Sequence, residues 1–375
     1  MKICLLGASG SIGKQTIDVI NKFPKDFSLA AFSVGKRTRC ISYIIRKHPK
    51  VKHICIQDKT IANKYKKKYP NITFYSEEKG LLELIRNSDS EMVVNALVGF
   101  VGLLPSIEAI KCHKKLALAN KESLVVGGDL INSLLKEYNG ELYPIDSEHS
   151  ALWKCLKVDS HDVNKLILTA SGGSFRKLSR KELENVTPED ALKHPTWKMG
   201  NKITIDCATM MNKGFEVIEA WYLYHYPLDQ VEIKMHDESL VHSMVELKDG
   251  SLLVDYGKPD MRNPIAWAMM EGDLEYDILH IKSLDELKDC HFHDYDPKRY
   301  PCTELAKKAL ITSSSKMIAL NAANEVAVNR FLKDEIKFTD IEKIVKRVVD
   351  STPVIYKPNL RTIKRIDKIS RKKAA

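Results

Sequence analysis

The stretch "YPIDSEHSALW" at residues 143–153 offers the first chemistry, because Asp146 and Glu148 stand two residues apart with Ser147 between them. Side chains two apart in an extended segment share a side. Two carboxylates held together repel unless a proton or a cation lies between them. The pair is therefore half of a site for a hard cation, or it is the start of a helix over "ALWKCL" with Asp146 or Ser147 as cap. A third carboxylate lies in "CATMMNKGFEVIEAWYLY" (207–224), which predicts a helix with Phe215, Ile218 and Tyr222 on its apolar side. Asn212 and Lys213 sit near the start of that helix and Glu216 projects from another face. Lys213 suits a phosphate and Glu216 a metal, or the whole face is solvated.

Other polar residues cluster where strands should end. "LANKESLVVGG" (118–128) puts Asn120, Lys121, Glu122 and Ser123 just past an apolar run. Open α/β sheets bind ligands beyond such strand ends, although a helix start capped by Asn120 has the same composition. "LTASGGSFR" (168–176) closes a strand with Ser171, Gly172, Gly173 and Ser174, a set of amides and hydroxyls fit for phosphate oxygens. "KHPTWKMGNK" (193–202) mixes His194, Trp197 and Met199 with Gly200 and lysines, which suits a lid over a substrate. "CHFHDYD" (290–296) resembles a zinc box, yet it lacks a spaced partner cluster and falls in a charged stretch, so it is read as linker.

These residues need elements to position them. "KICLLG" is a short apolar strand followed by Gly7, Gly10 and Gly13 and then by a helical pattern through Ile12, Ile17, Val19 and Ile20. A strand, a glycine turn and a helix open a dinucleotide-binding unit, with the helix N-terminus facing the pyrophosphate. The second strand, "FSLAAFSV", runs into Gly35, Lys36 and Arg37 with no carboxylate. A cationic loop there favours NADP over NAD, the alternative being two solvated basic residues. Strands alternate with helices to residue 146, which predicts an open parallel sheet. After residue 150, "KLILTASGGSFR", "KITIDCATM", "EIKMH", "LVHSMVEL" and "SLLVDYG" read as strands, and beyond about 300 the pattern is helical. The expected fold is α/β. A Rossmann-like parallel sheet occupies 1–146, an α+β catalytic domain 147–269, a linker 270–299, and a C-terminal helical domain 300–375.

Composition narrows the class. At 375 residues the chain exceeds one ordinary core. Eight scattered cysteines without C-x-x-C spacing argue for reduced thiols and against a disulfide framework. The N-terminus does not read as a signal peptide, and the longest uncharged run, Met92 to Ile107, is too short to span a bilayer. The expectation is a cytoplasmic protein without a membrane partner. The net charge of +10 permits nucleic-acid binding or attraction of phosphorylated substrates. However, the lysines are spread along the chain and a Lys- and Ile-rich composition explains the surplus equally well, so no nucleic-acid partner is expected.

Taken together, "GASGSIG", "GLLPSIEAI", "LANKESLV", "PIDSEHSA", "SGGSFR", "HPTWKMGNK", "ATMMNKGFE", "KPDMRNPIAWAM" and "ALNAANEVAV" closely resemble the 1-deoxy-D-xylulose 5-phosphate reductoisomerase family over nearly the whole chain. The resemblance implies Mg²⁺ or Mn²⁺ on Asp146, Glu148 and Glu216, with Lys121 beside the metal and substrate. It implies substrate contacts from Ser147, Ser171, His194, Trp197, Met199, Cys207, Asn212 and Lys213. NADPH would meet Ser9, Gly10, Ser11, Ile12, Gly35, Lys36, Arg37, Asn120, Glu122 and Gly200. The implied reaction rearranges the sugar phosphate, most simply by retro-aldol cleavage and re-addition, and then reduces the branched aldehyde to 2-C-methyl-D-erythritol 4-phosphate. A homodimer is implied as well. Two departures stand out: Cys207 occupies a position where the family commonly has serine, and Ser9 one where threonine is usual. A thiol donates weakly, so looser phosphate binding is expected. The competing enzyme reading is an NADP-dependent dehydrogenase of semialdehyde or homoserine type, which would use a nucleophilic cysteine or a general-base histidine without metal. A non-enzymatic NADP or nucleic-acid binder would need a focused basic face.

Overall fold

A computed structural model describes residues 1–197, 199–273 and 289–375. Strands β1 (Lys2–Leu6), β2 (Ser28–Val34), β3 (His53–Ile56), β4 (Thr73–Ser76), β5 (Met92–Asn95), β6 (Lys115–Leu118) and β7 (Leu142–Pro144) form one parallel sheet. Its order is β4-β3-β2-β1-β5-β6-β7. Helices α1 (Ser11–Lys22), α2 (Ile41–Lys47), α3 (Lys59–Lys68), α4 (Glu77–Asn87), α5 (Leu103–Lys111) and α6 (Glu122–Tyr138) connect them. Covered on both faces, the central strands are continuous apolar runs: Ile3, Leu5, Phe32, Ile54, Val94 and Ala117 are fully buried.

The sequence order of the strands reverses at β1, which pairs with β2 on one side and β5 on the other. An open α/β sheet has its ligand crevice at such a reversal. Gly7 follows β1 there with φ +85°, and a Cβ on it would come within 2.7 Å of the Ala96 carbonyl oxygen. Only glycine satisfies both demands.

The chain forms two compact units. The first comprises Met1–Asn120, Ile131–Asp146 and a stretch beginning at Met261, which carries α11 (Arg262–Met269). The second takes Lys121–Leu130, Ser147–Asp260 and the described residues from Asp289 onward. It is built on β8 (Val163–Ala170), β9 (Val231–Met235), β10 (Val241–Leu247), β11 (Leu252–Tyr256) and the short β12 (His293–Asp294). These make a mixed sheet in the order β11-β10-β8-β9-β12. Helices α7 (Ser147–Val158), α8 (Pro188–Ala191), α9 (Asn201–Thr209) and α10 (Met211–Tyr224) belong to this unit. So do α12 (Pro301–Thr312), α13 (Ser314–Phe331), α14 (Asp340–Asp350) and α15 (Leu360–Ala374). The alanine-rich α13 is buried on most sides and packs against α12, α14 and α15.

One expectation changes and one alternative falls away. "KITIDCATM" is helix α9, although Ile203 and Ile205 alternate as in a strand. Gly200 starts it, Thr204 Oγ1 donates back to the Gly200 carbonyl at 2.9 Å, and Lys202 pairs with Asp206 one turn later. Its buried residues are Thr204, Ile205, Asp206, Ala208 and Thr209, a face that packs on α10 and α13. Tertiary packing has overridden a weak local preference. Glu216 on α10 is fully buried, so its face is not solvated. Of the expected linker 270–299, residues 274–288 lie outside the described residues, while His293 and Asp294 pair with β9. Among the described residues no helix is long and apolar enough to cross a membrane.

Candidate active site

In the first unit, the turn after β1 presents Ser9 and Gly10 half-buried, Ser11 exposed and Ile12 half-buried at the start of α1. Gly10 occupies the N-cap position and no side chain caps the helix. The first-turn amides of α1 therefore supply donors and partial positive charge for an anion. The turn is fixed from β2: the Gly7 amide donates to Ser33 Oγ at 3.0 Å and the Ala8 amide to the Ser33 carbonyl at 2.8 Å. Gly35 is half-buried just past β2, and Lys36 and Arg37 beyond it are exposed. Asn120 is buried and donates to the carbonyls of Leu97 and Gly99, both at 3.0 Å, so it ties the strand end after β6 to the loop after β5. This donor set fits a dinucleotide, with two cations where a 2′-phosphate would lie.

In the second unit, α7 begins at Ser147, and this places Glu148 in its first turn. Ser147 Oγ donates to Glu148 Oε2 at 2.6 Å. Asp146 immediately precedes the helix and is the last residue of the first unit, half-buried. Helix α10 brings Glu216 to Glu148, each offering a carboxylate oxygen within 4.8 Å of the other's. Lys213, one turn before Glu216, joins them: its ammonium lies 2.8 Å from Glu148 Oε1 and bonds Glu216 Oε2. Lys121 Nζ approaches Glu216 Oε1 at 2.9 Å, and Asn212 Nδ2 donates to the same oxygen at 2.5 Å.

Two carboxylates and two ammonium groups thus share a nearly dry region, and each makes the other tolerable there. Burial alone would strip the proton from Lys213, but the flanking Glu148 and Glu216 carboxylates outweigh it and hold the ammonium well above its ordinary range. The donors are hard oxygens already gathered around positive charge, which fits Mg²⁺ or Mn²⁺. Among the described residues the "CHFHDYD" side chains form no comparable group; His291 pairs with Glu238 and Asp294 with Lys234.

Around this set, the loop after β8 turns through Gly172 and Gly173, and a Cβ on Gly173 (φ +69°) would meet the Ala208 backbone at 2.6 Å. That close approach seats the loop on α9 beside Cys207, which is half-buried. Burial pushes the Cys207 thiol well above its ordinary range, so it is a neutral group and not a thiolate nucleophile. Trp197, Met199 and His194 are half-buried and Gly200 is exposed. The His194 ring has a defined tautomer. Its Nδ1 accepts the amides of Thr196 at 3.3 Å and Trp197 at 3.0 Å, which leaves the proton on Nε2, 3.3 Å from Ser171 Oγ.

Burial, helped by nearby Arg176, pushes His194 down to about 4. A folded value below the ordinary one means the neutral ring stabilises the fold above about pH 6.5 and that this contribution fades as pH falls toward 4. Exchange protection of the Thr196 and Trp197 amides is expected to hold while the folded ring is neutral and to fall away as pH drops through about 4. Protection unchanged well below pH 4 would contradict the tautomer assignment.

The sequence family profiles agree with this arrangement. That described as 1-deoxy-D-xylulose 5-phosphate reductoisomerase matches residues 3–128, its C-terminal domain matches 142–224, and the DXP reductoisomerase C-terminal domain matches 256–373. A 1-deoxy-D-xylulose 5-phosphate reductoisomerase of Macrococcus caseolyticus is 44% identical over 367 residues, 97% of this chain and 96% of the relative. The chain belongs to the 1-deoxy-D-xylulose 5-phosphate reductoisomerase family. A Geobacillus member is 42% identical over 375 residues, covering 99% of this chain and 98% of that one. Among solved reductoisomerases, one in complex with NADPH, fosmidomycin and magnesium superposes with TM-score 0.94 at 34% identity, covering 100% of this chain and 97% of the other. The Zymomonas mobilis reductoisomerase in complex with NADPH gives 0.91 at 35%, covering 100% and 98%. Family membership settles the choice between reductoisomerase and dehydrogenase for the former.

Sequence reasoning passed over Lys202 and Asp206. Lys202 Nζ lies 2.7 Å from both Glu122 Oε1 and Asp206 Oδ2. The signal is their i, i+4 spacing, which a strand reading of "KITIDCATM" hides.

Proposed function

We propose that the chain converts 1-deoxy-D-xylulose 5-phosphate to 2-C-methyl-D-erythritol 4-phosphate with NADPH and a divalent cation, in the methylerythritol phosphate route to isoprenoids. The observation that carries this is the Glu148–Lys213–Glu216 cluster with Lys121 on its far side, within a chain of this family. Glu148 and Glu216 hold Mg²⁺ or Mn²⁺ together with Asp146, two residues before Glu148. When bound, the cation supplies Lewis-acid polarisation of the substrate's carbonyl and neighbouring hydroxyl oxygens. NADPH supplies the hydride that reduces the branched aldehyde.

The protein's own groups bind and orient. Lys213, Asn212 and Lys121, all beside Glu216, would bind and orient the substrate next to the carboxylates that would hold the cation. Ser147 donates to a substrate oxygen. Ser171, His194 through its Nε2–H, and Cys207 hold the phosphate, while Trp197 and Met199 cover the sugar and exclude water. Ser9, Gly10, Ser11, Ile12, Gly35, Lys36, Arg37, Asn120, Glu122 and Gly200 form the NADPH contacts. The functional division follows as NADPH domain 1–146, catalytic domain 147–269 with its lid near 193–202, linker 270–299 and helical domain 300–375. We place the enzyme in the cytoplasm, consistent with its eight free thiols, and as a homodimer.

The test follows NADPH absorbance with 1-deoxy-D-xylulose 5-phosphate, first with Mg²⁺ or Mn²⁺ and then with chelator. Oxidation that needs both sugar phosphate and metal is expected; none from a folded sample would sink the proposal. A second measurement addresses the departure at Cys207. Cys207→Ser restores a stronger hydroxyl donor, so KM for the sugar phosphate should fall about 3- to 10-fold, the worth of a hydrogen bond of roughly 1 kcal/mol. An unchanged KM would remove Cys207 from the phosphate contacts.

A further inference from the structure

We infer that Lys202 is a positioning residue for this reaction: its ammonium, clasped between Glu122 and Asp206, fixes the start of α6 against α9 and so holds the Lys121 ammonium on Glu216. The inference rests on the reading of the site given above.

Lys121 is the residue before α6 and reaches Glu216 with a long, flexible side chain. Such a side chain keeps one position only if its backbone is held. The helix is interrupted at Gly127 (φ −143°, ψ 20°), five residues beyond Glu122, so its first turn is positioned by what it packs against and bonds to. Lys202 adds a charged anchor to this buried turn, where Ser123 and Leu124 are fully buried. It bonds Glu122, the neighbour of Lys121, at 2.7 Å. It also lies over the buried ring of Phe215, the neighbour of Glu216, at 5.1 Å from the centroid. One ammonium therefore touches the residue next to each member of the Lys121–Glu216 pair.

The anchor is itself fixed. Lys202 bonds Asp206 one turn along α9 at 2.7 Å. The other carboxylate oxygen of Asp206 accepts from Asn324 Nδ2 at 2.8 Å, and Asn324 is fully buried in α13. The chain of contacts thus runs from the helical core through Asn324, Asp206 and Lys202 to Glu122 and Lys121. Burial opposes charge on Glu122, yet the adjacent Lys202 keeps its carboxyl below the usual range, so the link is ionic at neutral pH.

The experiment compares Lys202→Met, Lys202→Arg and Asp206→Asn with wild type in steady-state kinetics and thermal melts. A control, Val348→Ala in the α14 core, loses stability far from these contacts. Lys202→Met should lower kcat by about 10- to 100-fold, the range for partners that orient a reactive group. KM for the sugar phosphate should stay within about threefold, and Lys202→Arg should recover most of kcat because a guanidinium can span the same two carboxylates. The control should keep kcat despite its lower melting temperature. If Lys202→Met does not fold, Asp206→Asn keeps the side-chain shape and should show a smaller loss in kcat at unchanged KM. A folded Lys202→Met or Asp206→Asn with wild-type kcat, or one whose defect lies in KM alone, overturns the inference. Absent turnover in wild type would instead overturn the functional reading.

Discussion

Glu216→Gln is expected to remove turnover while leaving NADPH binding intact. Glu216 is fully buried and its two oxygens engage Lys121, Asn212 and Lys213. Glutamine keeps the volume and one acceptor oxygen, so the helix packing survives, but it removes the negative charge that a divalent cation requires. It also takes a charged partner away from both the Lys121 and the Lys213 ammonium groups. The rate should fall on the order of 10³-fold or more, at the upper end for loss of one group that stabilises developing charge. NADPH fluorescence titration should give the wild-type affinity, because Glu216 is not among the proposed NADPH contacts. Retained turnover in a folded variant would refute the role given to Glu216.

Lys213→Met carries the second largest effect and separates charge balance from substrate binding. The Lys213 ammonium bridges Glu148 and Glu216 in a nearly dry setting. Methionine fills the volume of the stem but leaves two carboxylates facing each other. Breaking a buried pair by removing one partner costs about 3–5 kcal/mol. In chelator the melting temperature should therefore drop clearly below that of wild type. Added Mn²⁺ can replace the lost positive charge, and a ligand at a hundred times its Kd contributes about 2.7 kcal/mol. The variant should thus gain more from Mn²⁺ than wild type does, while its KM for the sugar phosphate rises steeply. Equal metal-dependent gains in the two proteins would rule out a shared site for the cation and the ammonium.

Much of the molecule was legible in the chain itself. The glycine turn announces itself through its position after an apolar strand, and Gly7 meets both a left-handed backbone and a close carbonyl. Continuous apolar runs predicted buried parallel strands, because covering helices leave no solvent face to mark by alternation. The second unit was harder to read. Residues 201–209 alternate like a strand but form α9, since helices α10 and α13 reward the other periodicity. Glu216 sits opposite the obvious apolar stripe of α10, which suggested solvent. Neighbouring elements bury that face too, and Lys121 and Lys213 make its charge tolerable.

By itself, the sequence determined the parallel nucleotide-type sheet, the placement of Lys36 and Arg37 after the second strand, and the family through many motifs in one order. For "YPIDSEHSALW" it left cap and metal site both open on local grounds. The tertiary structure places Ser147 and Glu148 in the first turn of α7 and brings Glu216 to them across 68 residues of chain. It also decided that Lys202 links the starts of α6 and α9. The physical reason is that period and turn chemistry act between near neighbours, whereas the pairing of buried charges depends on which helices share a core. No local pattern encodes that choice.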